Sequence, residues 1–145
     1  MVQTIVLNFK HSYKGRVQFP DVDSFGIVHN LRYFYWLEYA RTDYFKSIGV
    51  KINKDSFTKE FTVNVVHAEI DYFAPARFDE EWEVLTRISK IGSTSFTFDN
   101  IIRMNDGTIL AKASAVLVYI NPKSLEPERV PDWLRTLINN FEDNK

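Results

Sequence analysis

Cysteine is absent from the 145-residue chain, which excludes disulfides, thiolate metal sites and a cysteine nucleophile and is compatible with a reducing compartment. Histidine is nearly as scarce. The three, His11, His29 and His67, are too widely spread to form a spaced ligand motif, so no metal is expected. No charge of one sign dominates: the net charge is −1 with scattered basic residues, leaving no electrostatic footprint for a nucleic-acid backbone or an anionic membrane. Long hydrophobic runs are also missing. Nothing approaches a transmembrane length, and the apolar run near the N-terminus is too short for a signal h-region. The expectation is a soluble, cytoplasmic protein with no nucleic-acid partner and no integral membrane association. Repeats, linkers and low-complexity segments are lacking too, and 45% hydrophobic content over 145 residues suits a single domain, residues 1–145, with a self-sufficient core.

What the chain does have is an organising stretch from Val17 to Val50. It reads as a strand over Arg16 to Phe19 ended by Pro20, an acidic glycine-bearing loop from Asp21 to Gly26, and a long helix. At about 100° per residue, Trp36, Ala40, Tyr33, Tyr44, Leu37, Ile48, Phe34 and Phe45 fill one arc of that helix. The arc covers roughly half the circumference, wider than a helix lying on a core requires, so the rest of the chain must wrap it. Arg41 falls inside the same arc, and Glu38, one turn earlier, is its expected partner. Gly49 is placed to end the helix, with Lys46 in the last turn suiting the negative end of the dipole. Residues 51–59 read as a polar, mobile connection.

From Glu60 the apolar period changes to two, the signature of strands. Phe61, Val63 and Val65 share one face, whereas Val66, Ala68 and Ile70 share the other parity, which predicts a bulge near Val65 or Val66. Further runs follow over Glu81 to Ser89, Phe96 to Met104 and Thr108 to Ile120, the last central, with Asn105-Asp106-Gly107 supplying a tight hairpin. Residues 2–8 alternate weakly and suggest a short leading strand. Pro131 opens a C-terminal helix with Trp133, Leu134, Leu137, Ile138 and Phe141 on its apolar side. The class is α+β: an antiparallel sheet curled around one long buried helix, with a short C-terminal helix. So apolar a helix also calls for cover from a second subunit.

The chemistry concentrates where the acidic loop meets the helix. Free N–H groups and the positive dipole end at a helix start favour negative charge and can hold a developing oxyanion. An adjacent Asp can orient a water or attack an electrophile. Asp23 also has a plain alternative, as a loop residue bonding local N–H groups, and Asp21 reads as structural. Asp21, Asp23 and Gly26 match EF-hand positions, but Phe25 and Arg32 fall where further oxygen ligands are needed, so calcium is rejected. Asn30 suits the helix N-cap or first turn. Phe25, Tyr33, Trp36 and Phe73 are the aromatic residues to test as pocket walls.

At Asp21-Val22-Asp23-Ser24-Phe25-Gly26-Ile27-Val28, with Tyr33 and then Glu38-Tyr39-Ala40-Arg41, the chain resembles the hotdog-fold acyl-CoA thioesterases of the 4-hydroxybenzoyl-CoA thioesterase type. The similarity continues through Val63 to Pro75, Trp82 to Phe98 and Ala111 to Ile120. The resemblance implies a five-stranded antiparallel sheet around the helix, pairing of two units into a continuous sheet, and often a dimer of dimers with active sites at the subunit interface. It implies Asp23 as nucleophile or general base, the backbone N–H of Asn30 as donor to the thioester oxygen, and Gly26 as the residue permitting the tight loop. His29 precedes Asn30, which stands where some members carry histidine or tyrosine. Basic residues that hold coenzyme phosphates in some members match Gly92, Ser93 and Thr94, none of them basic; either Lys90 and other surface cations substitute for them, or the acyl carrier, such as a small acyl-carrier protein, is held differently.

The expected function is hydrolysis of acyl-CoA, or of another acyl thioester such as that of an acyl-carrier protein, to free acid and thiol by a homodimer or homotetramer. Neither metal nor redox cofactor is required. Asp23, Asn30 and Gly26 form the catalytic set, with Phe25, His29, Tyr33, Trp36, Phe73 and Lys90 around the substrate. The alternatives are a hotdog module that binds an acyl thioester or a protein without catalysis, and the dehydratase branch of the same fold.

Overall fold

The computed structural model describes Val6 and residues 8–143. Strand β1 (His11–Arg16) is followed by a 3-10 turn at Phe19–Asp21 and by helix α1 (Arg32–Ser47); then come β2 (Val63–Tyr72), β3 (Glu81–Ile91), β4 (Ser95–Met104), β5 (Ile109–Tyr119) and helix α2 (Asp132–Glu142). The strands form one antiparallel sheet in the order β1-β3-β4-β5-β2. This is the hotdog arrangement, with α1 packed chiefly over β3 and β1.

The first strand lies earlier than its sequence pattern suggests. Arg16 to Phe19 is not a strand; β1 ends at Arg16, and Pro20 sits in the 3-10 turn, where a fixed φ and a missing N–H are tolerated. HSYKGR shows no apolar alternation because its inward positions are His11, Tyr13 and Gly15, and Gly15 leaves room for the Trp82 ring: a Cβ there would lie 2.3 Å from it. The leading strand suggested for residues 2–8 falls largely outside the described residues.

Other patterns transfer directly. Gly49 has φ +104° and its N–H donates to the Lys46 carbonyl, so α1 ends as expected. The register of β2 against β5 shifts between Val65 and His67, the bulge foreseen from the change of parity. Gly107 at φ +94° turns β4 into β5, although β4 rather than β5 is the middle strand. Residues 51–59 are irregular but internally tied: buried Ser56 donates to the Lys51 carbonyl at 2.9 Å and takes the Asn53 N–H at 3.0 Å.

The interior divides into two clusters. Around the C-terminal half of α1, Tyr44 and Phe45 meet Phe61, Phe96, Phe98 and Leu117, closed from below by Leu134 and Ile138 of α2. Trp133, expected on that apolar side, is instead half-exposed. Around the N-terminal half, Tyr33, Trp36, Leu37 and Ala40 meet Trp82, Val84, Ile102 and Leu110. The Trp36 and Trp82 rings stack there with centroids 4.6 Å apart.

Candidate functional site

The acidic loop folds back on itself as a small hairpin. Asp23 N–H donates to the Ile27 carbonyl at 2.9 Å, Val22 faces Val28, and His29 N–H donates to the Asp21 carbonyl at 2.8 Å. Gly26, at φ +77°, makes the turn, a conformation that L side chains rarely adopt. Asp21 is 4% exposed; its carboxylate accepts from Gln18 N–H at 2.8 Å and from Arg32 Nε at 2.9 Å. Asp21 therefore ties the loop base to the first residue of α1, the structural role its position suggested.

Asp23 stands two residues further out and is only partly buried. Its Oδ1 accepts the Phe25 N–H at 2.8 Å, which orients the carboxylate while leaving Oδ2 to other partners. Phe25, at the tip, is 84% exposed.

Helix α1 starts without a side-chain cap and with no acidic residue in its first turn; the nearby Asp21 carboxylate is taken up by Arg32 and the Gln18 N–H. Leu31, not Asn30, holds the N-cap position. Asn30 lies one residue earlier; its carbonyl accepts the Tyr72 hydroxyl at 2.7 Å, and its N–H has no acceptor among the described residues. His29 is exposed, and its Nδ1 accepts the Leu31 N–H at 3.3 Å.

An open groove of about 320 Å³ runs past this helix start, lined by Ile27, Val28, Asn30, Tyr33, Tyr72 and Phe73 among others. The Tyr33 hydroxyl accepts the Ala76 N–H at 3.1 Å and so fixes the segment that follows β2. Burial raises the Tyr33 phenol above its ordinary value, so the hydroxyl stays neutral.

Of the residues singled out from sequence, the fold brings Asn30, Tyr33 and Phe73 to this groove. Asp23, Gly26 and Phe25 stay on the adjoining loop, and His29 stays exposed beside it. Trp36 is placed elsewhere: at 2% exposure, stacked on Trp82, it belongs to the core and not to a pocket wall. Lys90 is exposed on β3 in register with Thr97, Val116 and His67, whereas Tyr72 aligns with Ala111, Ile102 and Val84. Five residues along a strand separate those rows, about 17 Å, so within one chain Lys90 is remote from the groove.

Two participants were not legible. Tyr72 reaches Asn30 across 42 positions, and only its place beside Phe73 hinted at it. Arg135 of α2 donates Nη2 to the Gly92 and Ser93 carbonyls at 2.6 and 2.9 Å. It thereby brings a cation to a turn that has none of its own, from a helix whose apolar pattern says nothing about that contact. Among the described residues no group of three or more His, Cys, Asp or Glu could hold a metal, and no helix is long and apolar enough to cross a membrane.

Residues 17–138 match the Thioesterase-like superfamily. The acyl-CoA thioester hydrolase YbgC of Escherichia coli is 29% identical over 117 residues, covering 80% of this chain and 86% of that one. The chloroplastic acyl-acyl carrier protein thioesterase ATL2 of Arabidopsis thaliana is 26% identical over 91% of this chain and 70% of its own. Among solved structures, a Thermus thermophilus thioesterase complexed with coenzyme A and zinc superposes with a TM-score of 0.83 at 27% identity, over 95% of this chain and 98% of the other.

Proposed function

The chain belongs to the Thioesterase-like superfamily, and from that premise we propose that it hydrolyses acyl thioesters, acyl-CoA first among them, to the free acid and the thiol. The observation that carries the reading is the start of α1. There the Asn30 N–H, without an acceptor among the described residues, lies beside a groove at the start of a helix with no acidic residue in its first turn, next to a loop that presents a partly exposed carboxylate.

In this reading the thioester carbonyl oxygen accepts the Asn30 N–H. Asp23 removes a proton from water as the water oxygen bonds to the carbonyl carbon, and charge gathers on the oxygen facing the helix. Collapse of the tetrahedral intermediate breaks the C–S bond, and the departing thiolate receives the proton that Asp23 holds. Asp23 can instead attack directly: the carboxylate displaces the thiolate to give a mixed anhydride, which water then cleaves, restoring the carboxylate. Both routes use the same oxyanion donor, and losing one such donor typically lowers the rate about 10²–10³-fold.

A homodimer is part of the reading. β2 is an edge strand of ten residues, almost all exposed, Val65 and Val66 included, and such an edge invites pairing with a second copy. Antiparallel pairing of two β2 edges sets the beginning of one against the Tyr72 end of the other, beside the groove. By the same pairing, Lys90 and Arg135 near the Gly92 turn are the cations we assign to coenzyme phosphates. The wild-type chain and Asp23→Asn, assayed for thiol release from short, long and aromatic acyl-CoAs, test the hydrolysis. Loss of a general acid–base group typically lowers the rate about 10²–10⁴-fold; equal rates in the two proteins would remove Asp23 from the mechanism.

The Phe25 N–H bond to Asp23 Oδ1 favours a second reading, a binding module in which Asp23 only shapes the loop. An acyl-CoA that raises the unfolding temperature while no acyl-CoA or acyl-carrier-protein thioester is turned over would select it.

A further inference from the structure

Strand β2 carries a pair of side chains that neither the core nor the groove uses. Ile70 packs against the N-terminal cluster and the Tyr72 hydroxyl reaches Asn30. The alternation of a strand therefore turns His67, Glu69 and Asp71 to the opposite face of the sheet. His67 Nε2 and Glu69 Oε2 stand 4.0 Å apart, on side chains that are 59% and 69% exposed. That separation is too long for a hydrogen bond. It is close to the gap of about 3.4 Å between two ligands of one tetrahedral zinc ion, whose bonds to nitrogen and oxygen are about 2.0–2.2 Å long.

A single chain supplies only these two ligands, in keeping with the lack of any three-residue metal group among the described residues. Because β2 is an edge strand, a second copy can supply the others. In antiparallel pairing of two β2 edges, the reading on which this inference rests, opposed residues share a face. Within β2, His67 then meets Glu69, Asp71 or His67 of the partner subunit. Meeting Asp71 brings the two Glu69 carboxylates together, and meeting His67 sets Glu69 against the irregular stretch between Val65 and His67. Opposite charges across paired strands are favourable and like charges are not. Charge matching thus selects the register in which the two Ala68 residues oppose each other on the two-fold axis and each His67 faces Glu69 of the partner subunit.

That register sets four side chains at the corners of a patch about 7 Å along the strands and about 5 Å across them. Two imidazoles and two carboxylates suit a borderline divalent ion, whereas calcium and magnesium prefer oxygen alone. We propose that the paired β2 edges hold one zinc ion on the two-fold axis, bound by His67 and Glu69 of both copies. His67-Ala68-Glu69 is half of a site, which ligand spacing within one chain does not reveal. The ion holds the two copies together from the sheet face opposite Tyr72 and Asn30, so the inference does not depend on hydrolysis.

The test is titration of the full chain with zinc chloride, followed by calorimetry and by sedimentation velocity against an EDTA control. Calorimetry is expected to give one zinc per two chains, and zinc to lower the concentration of half-dissociation of the dimer tenfold or more; magnesium chloride does neither. His67→Ala and Glu69→Gln change exposed side chains, so both unfold in EDTA at the wild-type temperature, and both lose the zinc effect. One zinc per single chain, or zinc binding retained in His67→Ala, overturns the site. Ala68→Cys, in a chain with no cysteine of its own, tests the pairing without metal, because opposed strand residues lie within disulfide reach. Oxidation is expected to link it as a dimer. A linked dimer that binds no zinc removes the metal site and keeps the β2 pairing, whereas a chain that neither links nor dimerises removes both.

Discussion

The two core clusters along α1 are built for different purposes. The C-terminal one is a set of rings meeting edge to face: Phe98 lies 5.3 Å from Tyr44 at 85° and 5.4 Å from Phe45 at 88°, and α2 closes it. The polar atoms that enter it serve closure, as when Glu142 accepts both the Tyr44 hydroxyl and the Ile88 N–H at 2.7 Å. In the N-terminal cluster the Trp36 and Trp82 stack supplies the bulk, while Tyr33 carries a hydroxyl inward to hold the Ala76 N–H. That hydroxyl positions the segment forming one bank of the groove. One cluster thus seals an end of the molecule, and the other stabilises the fold while setting out the groups around an open helix start.

The sharpest way to break this comparison is to empty each cluster in turn. Phe98→Ala removes a ring that is 0% exposed, and such truncations lower stability by about 3–5 kcal/mol. Chemical denaturation is expected to show that loss, with thioester turnover per folded molecule unchanged. A specific loss of turnover would mean that the C-terminal cluster also shapes the site. Tyr33→Phe leaves the Ala76 N–H unpaired in the interior, a penalty of about 1–3 kcal/mol. Here turnover is expected to fall further than stability accounts for, seen as a decrease in kcat/KM at a temperature where the variant is fully folded. Tyr72→Phe deletes only the bond to the Asn30 carbonyl, about 1 kcal/mol. It loosens Asn30, the residue whose own N–H the proposed mechanism uses, so kcat is expected to drop while the unfolding temperature barely moves.

How much of each cluster is legible from sequence follows the same division. The C-terminal one is written in local periodicity: Phe96 and Phe98 share a strand face, Leu134 and Ile138 a helix face, and Gly49 a helix end, all within a few residues of one another. The N-terminal one depends on contacts distant in sequence. Gly15 is inward only because Trp82 needs its space, which hides β1 from any apolar pattern, and Tyr72 touches Asn30 only once the sheet has formed. Trp36 illustrates the ambiguity of an aromatic residue on a buried arc, since core and pocket wall have the same signature and only the stack on Trp82 separates them. The loop chemistry was more accessible. Asp21 and Gly26 fill the roles their residue types suit, because a buried carboxylate needs donors and a tight turn needs positive φ.

The smallest expected effect separates the clusters by pH. Burial raises the phenols of Tyr33 and Tyr44 above the ordinary tyrosine value, and the neighbouring Glu142 carboxylate raises Tyr44 further. Both hydroxyls stay protonated in the folded state. Below a pH of about 10 they are neutral in both states and add no slope; above it the unfolded chain loses their protons first, so stability falls as pH rises. Tyr44, the more strongly shifted, is expected to contribute about 1 kcal/mol or less of that fall by about pH 10.5. Stability measured from pH 8 to 10.5 should therefore decline less steeply in Tyr44→Phe than in the wild type, with Tyr33→Phe intermediate. Parallel declines in all three proteins would mean that Glu142 closes the C-terminal cluster without holding the Tyr44 proton, and the contrast between a sealing and a positioning core would then rest on the turnover of Phe98→Ala and Tyr33→Phe alone.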